Sequence, residues 1–234
     1  MKQFVIAALF LLLPALALAG TASVPAIPPP VLLNYNLYAG GLKVVDVGIS
    51  YAISDSQYDI HANAKTRGMW ATLVPWRNMI TARGSVEAGH IAPQAARYDT
   101  AWREKVKTIE MSWAKDGALS VVSTPPQRPD GRVEATAEQI KNALDPVSAV
   151  VAVLARGGQD GCSGRIPAFD GRRLYDLVME NKGEDVLTQT DYNIYHGPAI
   201  RCEVTFEPVA GFPEKEQRAG FWTARDNSDK RNPL

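Results

Sequence analysis

The sequence is poor in the residues that build most catalytic and metal sites. Its 234 residues include three histidines and two cysteines. The cysteines, Cys162 and Cys202, lie too far apart for the Cys-x-x-Cys pattern of a redox site. The histidines, His61, His90 and His196, belong to no set of residues with zinc-like spacing. The sequence therefore predicts no metal and no cofactor.

The chain also lacks a charge excess of either sign. Lys and Arg together number 25, and Asp and Glu together number 25. A near-neutral surface with interspersed signs gives no electrostatic reason to expect nucleic acid or anionic lipid headgroups as the main partner. After the N-terminus no apolar run is long enough to cross a bilayer, so no transmembrane span is predicted.

The N-terminus has the features of a secretory signal. Lys2 is followed by the apolar run Val5–Leu13, the break at Pro14 and the small-x-small pattern of Ala17–Ala19. This pattern predicts a signal peptide over residues 1–19 that is cleaved after Ala19. An uncleaved anchor is disfavoured, because the apolar stretch is interrupted and shorter than the roughly 20 residues of a membrane span.

In an exported protein, two cysteines are most simply one disulfide, because the compartment is oxidising. A cross-link that closes a loop of about 40 residues is expected to stabilise the fold by roughly 4 kcal/mol in the chain-entropy model. The run after Ala199 alternates with period two and places Cys202 on the same face as Ile200, Val204 and Phe206. That register predicts a buried disulfide between Cys162 and Cys202.

The mature chain is predicted to be a Pro-rich arm over residues 20–30 followed by a single β-rich domain over 31–234. Period-two alternation from Leu33 onward indicates three consecutive antiparallel strands, and further strands are expected from Met79 to Leu119. Between them, Arg67–Trp76 breaks the alternation and is predicted to be a short helical or irregular cap. Residues 123–132 contain the prolines of a long loop.

Two short helices are predicted in the second half. Thr136 and Gln139 form a capping box for a helical turn. A firmer helix has Asp145 as its N-cap, Pro146 at its first position and Gly157 as its C-terminal stop. The apolar stripe of that helix has the spacing i, i+3, i+4, i+7. Its members are Val147, Val150, Val151 and Leu154.

The segment bounded by the cysteines carries three turn signals. Asp170-Gly171 is typical of a hairpin. Residues 181–183 are predicted to turn the chain, and His196-Gly197-Pro198 is predicted to turn it again. The segment is therefore interpreted as a disulfide-linked set of strands beside the valine-rich helix.

No catalytic motif is complete. Asp59 and His61 alternate on the polar side of a strand, which is typical of a solvated face. The run from Gly161 to Arg165 fails the G-x-S-x-G pattern of a nucleophile elbow. Asp170 and Asp176 could be considered as a glycosidase pair. A turn role explains Asp170 better, and an outward strand position explains Asp176 better. No catalytic residue is predicted, and an enzyme is not expected.

Several pieces of sequence occur together in a recognisable order and spacing. They are Asp145–Ala149, Phe169–Tyr175, the pair Cys162 and Cys202, Pro208–Phe212, and Trp222 with Asp226. Together they resemble the domain-of-unknown-function 3108 family of exported bacterial proteins. The resemblance implies a mainly antiparallel β fold, a strongly curved sheet or incomplete β-barrel with one or two short helices, in the Gram-negative periplasm. It implies no catalytic residue.

The resemblance also implies a further strand after Trp222. Either the tail is short here or the natural protein continues beyond Leu234, and both alternatives stay open.

Two functions remain open. In the first, a curved sheet holds a lipid or other apolar small molecule, with Trp70, Trp76, Val147, Val151 and Leu154 as the candidate lining residues. In the second, the same face is filled by core side chains, and the exposed surface docks envelope proteins. A cavity of a few hundred Å³ distinguishes the two, because that is the usual scale of a ligand site.

Overall fold

The computed structural model describes residues 28–157, 161–191 and 193–213. The predicted signal peptide, its cleavage after Ala19, most of the Pro-rich arm and the strand predicted near Trp222 lie outside these residues. The described part is mainly β, as predicted.

Seven strands form one antiparallel sheet, here called the large sheet, in which each strand pairs with the next along the chain. They are β1 (Val31–Ala39), β2 (Leu42–Ile53), β3 (Gln57–Thr66), β4 (Trp76–Glu87), β5 (His90–Trp102), β6 (Lys105–Trp113) and β7 (Leu119–Thr124). This order confirms the predicted meander of antiparallel strands, and the short connections explain why sequence neighbours pair.

Three further strands form a second antiparallel sheet, here called the small sheet, with β9 in the middle. Its strands are β8 (Gly164–Phe169), β9 (Leu174–Leu187) and β10 (Gly197–Ala210). In the described residues three helices accompany the sheets, one more than the sequence predicted: α1 (Met69–Leu73), α2 (Ala137–Ile140) and α3 (Pro146–Arg156). The predicted cap, the capping-box turn and the valine-rich helix are all helical.

The large sheet is open. In the described part of the chain, β1 and β7 are its edges and do not pair with each other. After β7 the chain enters the loop that begins at Pro125, and prolines cannot donate to a ladder. The predicted strongly curved sheet or incomplete barrel therefore stays a prediction.

One face of the large sheet, here called the inner face, carries the apolar side chains and packs against α3 and the small sheet. The register aligns Ile60, Ala82, Ala96 and Met111 in one row across β3 to β6. Val151 of α3 and Phe169 of β8 lie in the same buried cluster. Elements from both sheets thus share one apolar core.

Helix α3 begins and ends as predicted, but its buried face differs from the predicted stripe. The side chain of Asp145 caps the N-terminus, and Gly157 follows the last helical residue. Val151 is fully buried, whereas Val150 and Leu154 are 56% and 61% exposed. The helix instead buries its smallest side chains, which are Ser148, Ala149 and Ala152. Small residues allow the helix backbone to lie close to the sheets, and this packing outweighs the apolar periodicity.

The turn predicted at residues 181–183 is wrong, because β9 runs through this segment. The ladder pairs Cys202 with Asn181 and Ile200 with Glu184, so two residues of β9 lie opposite one residue of β10. The backbone of Gly183 has a φ of 97°, and its amide donates to the Asn181 side chain. The local sequence therefore makes a β-bulge, which bends a strand without ending it.

The predicted burial of Cys202 is also wrong, because its side chain is exposed. Strand β8 pairs with β9 only as far as Met179. Beyond that point β9 and β10 continue as a two-stranded extension, in which Cys202 lies opposite Asn181. Alternation predicts which residues share a face, but only a covering layer makes that face buried.

Gly84 of β4 makes room for the ring of Tyr58. A Cβ at this position would lie 2.4 Å from the Ala92 carbonyl oxygen and 2.7 Å from the Tyr58 ring. We expect Gly84→Ala to lower the free energy of unfolding by about 1–3 kcal/mol, because overpacking a tight core costs that much. Urea denaturation measures the change.

Gly48→Ala is the matched control, because its Cβ would meet only the side chain of exposed Asn63. That amide can rotate away, so the control is expected to cost less than about 1 kcal/mol. Equal losses for the two variants would contradict the close fit of Tyr58 against Gly84.

Candidate functional site

A buried polar cluster fixes the N-terminus of α3 to the inner face. The Tyr98 hydroxyl donates to Asp145 Oδ1 at 2.6 Å, and the amides of Val147 and Ser148 donate to the same oxygen at 3.1 Å. The hydroxyls of Tyr58 and Ser148 are hydrogen-bonded at 2.6 Å. The cap predicted from sequence is therefore also the anchor between the helix and strands β3 and β5.

The electrostatics of this cluster favour a structural role. Burial raises the pKa of Tyr58 and of Tyr98, and the negative charge of Asp145 raises both further. Both hydroxyls thus stay protonated at neutral pH. Asp145 and Ser148 are fully buried, and in the described chain Asp145 Oδ2 has no hydrogen-bond partner. Asp145 and Ser148 have no access to a substrate, so they position the helix.

Next to this cluster, the inner face of β5 and β6 forms one wall of a cavity of about 580 Å³. Tyr98 belongs to both features, since its hydroxyl binds Asp145 while its side chain lines the cavity. The other lining residues are Thr100, Trp102, Lys105, Val106, Lys107, Ile109, Pro125, Pro126, Gln127, Arg128 and Arg172. The cavity is therefore the continuation of the inner face beyond the N-terminus of α3.

The opposite wall is a segment of the long loop, held in place by the turn between β8 and β9. The Gln127 side chain donates to the Gly171 carbonyl at 2.8 Å, and the Arg172 guanidinium donates to the Arg128 carbonyl at 3.0 Å. Arg172 also pairs with Asp130 at 2.8 Å. Residues far apart in sequence thus build the wall, and the small sheet determines its position.

The cavity wall is cationic. Within the described ranges it includes Lys105, Lys107, Arg128 and Arg172 but no Asp or Glu. Burial lowers the pKa of Lys107, and the charge of Arg172 lowers it further, although Asp170 acts in the opposite direction. Positive charge is therefore concentrated where apolar side chains also meet.

The five residues predicted to line a ligand site do not meet at this cavity. Trp76 lies directly opposite the lining residue Trp102 across the ladder of β4 and β5. Val151 is fully buried in the core, with Val147 packed against it. Trp70 is half-buried in α1, and Leu154 is exposed on α3. The predicted lining therefore does not coincide with this cavity, and its role in ligand binding stays a prediction.

The comparisons with known proteins give one assignment. The family model described as protein of unknown function (DUF3108) matches residues 34–234. The chain belongs to this family. No curated protein and no solved structure matches it.

Part of the cationic cavity of this DUF3108 protein could have been found from its sequence. Ile109, Met111 and Trp113 alternate along β6 and lie on the inner face. Continuing the same alternation backwards places Lys107 and Lys105 on that face. Two lysines on an apolar face were therefore a visible signal. Arg128 and Arg172 had no such signal, because they come from loops that meet only in the tertiary structure.

The other sequence-predicted sites of the DUF3108 protein lie away from the cavity lining. The Sγ atoms of Cys162 and Cys202 are 2.16 Å apart, a disulfide-bonding distance. His61 Nε2 lies 2.8 Å from Asp59 Oδ1 on the exposed face of the large sheet. In the part of the chain that the structure describes, no group of three or more His, Cys, Asp and Glu side chains could hold a metal ion.

The two carboxylates considered as a glycosidase pair have structural partners in the DUF3108 protein. Asp170 Oδ1 accepts from the amides of Arg172 and Arg173, as its predicted turn role requires. Asp176 pairs with Arg165 at 2.5 Å across β8 and β9.

Among the described residues, no helix is long and apolar enough to span a membrane.

Proposed function

We propose that this DUF3108 protein is a periplasmic binding module that holds a lipid-like or other apolar ligand on the inner face of the large sheet. In this proposal the two sheets form an incomplete barrel around the ligand, and no catalytic step is involved. Its export is supported by the apolar run and small-x-small pattern of residues 1–19.

The observation that carries the proposal is the cavity beside the Asp145 anchor. Its volume of about 580 Å³ lies within the range of small-molecule sites. Tyr98, Trp102 and Ile109 give it an apolar and aromatic wall. Trp102 remains 49% exposed, although a tryptophan is one of the most favourable side chains to bury. A bound apolar group would cover this surface.

A second candidate is an envelope interaction protein, and the edge strand β1 favours it. Val31, Leu32, Leu37 and Tyr38 are all exposed large apolar residues on this strand. An unpaired strand edge is a template for pairing with another chain. In this alternative the protein carries no small molecule.

Native mass spectrometry of the full chain, purified from periplasm without detergent, tests the first proposal. We expect an additional mass of a few hundred daltons bound to the protein. Trp102→Ala should weaken binding by about 1–2 kcal/mol, roughly tenfold, because it removes an aromatic wall. Met79→Ala is the control, since Met79 is an exposed apolar side chain outside the cavity lining.

A bare protein mass in repeated preparations counts against ligand carriage. If Trp102→Ala and Met79→Ala reduce the ligand-bound fraction equally, the ligand binds outside this cavity. A second protein chain in the spectrum would favour the edge-strand alternative.

A further inference from the structure

The cavity combines an apolar wall with four cationic side chains, and we propose that its ligand is an amphiphile with an anionic headgroup. The hydrocarbon part would lie against Tyr98, Trp102 and Ile109. The headgroup, a phosphate or carboxylate, would lie among the cations Lys105, Lys107, Arg128 and Arg172. This proposal rests on the proposed function and specifies the chemistry of its ligand.

The first argument is that the nearby carboxylates are already engaged. Asp130 pairs with Arg132 at 2.6 Å and with Arg172 at 2.8 Å. Asp170 pairs with Arg173 at 2.9 Å and accepts two backbone amides. Two carboxylates thus face three guanidinium groups, and the local balance is positive before any lysine is counted.

The second argument is that the remaining cations have no acidic partner among the described residues. In the described part of the chain, no carboxylate forms an ion pair with the side chain of Lys105, Lys107 or Arg128. The lowered pKa of Lys107 has burial as its main cause and the Arg172 charge as its next cause. An anion between them would offset both effects, because an opposite charge favours the protonated amine.

The third argument separates an amphiphile from a simple anion. A small inorganic anion would satisfy the cations but leave half-exposed Trp102 in contact with water. An apolar molecule without charge would cover that side chain but would place unpaired cations next to hydrocarbon, which is costly. A molecule with both parts matches the whole wall.

The neutral net charge of the chain is consistent with this local excess. Equal numbers of basic and acidic residues give the net charge of the whole chain but not how the charges are distributed over its surface. On the opposite face of the large sheet, Arg97 pairs with both Asp99 and Glu110, so this cation has acidic partners. The expectation that anionic headgroups would not be a main partner came from the total, whereas the distribution favours them at one place.

Four probes that share a chain length or a headgroup test the proposal by isothermal titration calorimetry on the full chain. They are decanoate, decyl phosphate, 1-decanol and inorganic phosphate. We expect decanoate and decyl phosphate to bind at least tenfold more tightly than 1-decanol or inorganic phosphate, and their binding to weaken with added salt, because salt screens partly exposed charges.

Charge removal provides the second measurement. The double variant K105Q/K107Q should weaken the binding of decyl phosphate by roughly 5- to 20-fold, the effect of losing nearby charges at an intermediate dielectric. The affinity for 1-decanol should stay within about twofold. Both lysines are exposed as whole residues, although the Lys107 amine is partly desolvated, so the fold should persist. Arg172 is left unchanged because it also holds the loop wall.

Lys65→Gln is the matched control, since Lys65 is an exposed lysine of the same sheet outside the cavity lining. It should change no affinity by more than about twofold, because charges beyond a Debye length are screened.

The outcomes separate the two proposals. Equal binding of 1-decanol and decanoate overturns the anionic headgroup but leaves the apolar site. Equal binding of inorganic phosphate and decyl phosphate shows an anion site without an apolar part, which overturns the proposed function and the amphiphile together. If neither decanoate nor decyl phosphate binds, the anionic ligand is overturned. If none of the four probes binds, the apolar site is overturned as well. Equal losses in K105Q/K107Q and Lys65→Gln overturn the assigned position of the headgroup.

Discussion

Asp145→Ala is expected to lower the free energy of unfolding by about 3–5 kcal/mol. The substitution removes the N-cap of α3 and leaves the Tyr98 hydroxyl and the amides of Val147 and Ser148 without their acceptor. Each buried donor that loses its acceptor costs about 1–3 kcal/mol, and the losses partly overlap because the three donors share one oxygen. Equilibrium urea denaturation, followed by circular dichroism, measures the change.

Two further variants identify the source of that loss. Thr136→Ala removes the exposed cap of the four-residue helix α2 and should cost under about 1 kcal/mol. Tyr98→Phe removes one donor of the Asp145 cluster and should cost about 1–2 kcal/mol. If Asp145→Ala were no more destabilising than Thr136→Ala, the cluster would not be the anchor of α3.

Removal of the cross-link in Cys202→Ser is expected to lower the free energy of unfolding by roughly 4 kcal/mol in the chain-entropy model. The two cysteines are separated by 40 residues in sequence. Cys202 is exposed, so its replacement leaves no cavity, whereas replacement of buried Cys162 would add a packing loss to that of the cross-link. The denaturation midpoint of Cys202→Ser should match that of the reduced native protein.

Intact-mass measurement provides the direct test of the cross-link. Reduction of one disulfide adds two hydrogen atoms, about 2 Da, to the native chain. Cys202→Ser should show no such gain under the same conditions. Two free thiols in native protein that is isolated without reductant would contradict the cross-link, whatever the stability of the variants.

The sequence by itself determined the local elements of this protein. Alternation of apolar and polar residues predicts strands because side chains of a strand point to opposite faces in turn, and the meander from β1 to β7 follows that pattern. Asp145, Pro146 and Gly157 mark α3 correctly because caps satisfy backbone groups within one turn of the chain. The pairing of Cys162 with Cys202 could be predicted without the structure, since the chain has no other cysteine.

Burial was less predictable, because it depends on what covers a face. Val150 and Leu154 continue the apolar stripe of α3 but lie exposed, and Ser148 is buried because Tyr58 of β3 supplies its hydrogen bond. Cys202 alternates with apolar neighbours but is exposed on β10, which is an edge strand of the small sheet in the described chain. Periodicity assigns residues to a face without stating whether another layer exists.

Only the tertiary structure decided where a ligand site could be. Lys105 and Lys107 follow the alternation of β6, so their face could be predicted from sequence. Arg128 and Arg172 reach the same cavity from two loops that are 44 residues apart and are joined by the hydrogen bond from Arg172 to the Arg128 carbonyl. Sequence spacing carries no information about contacts between such loops. The local excess of positive charge in a neutral chain is therefore a property of the fold.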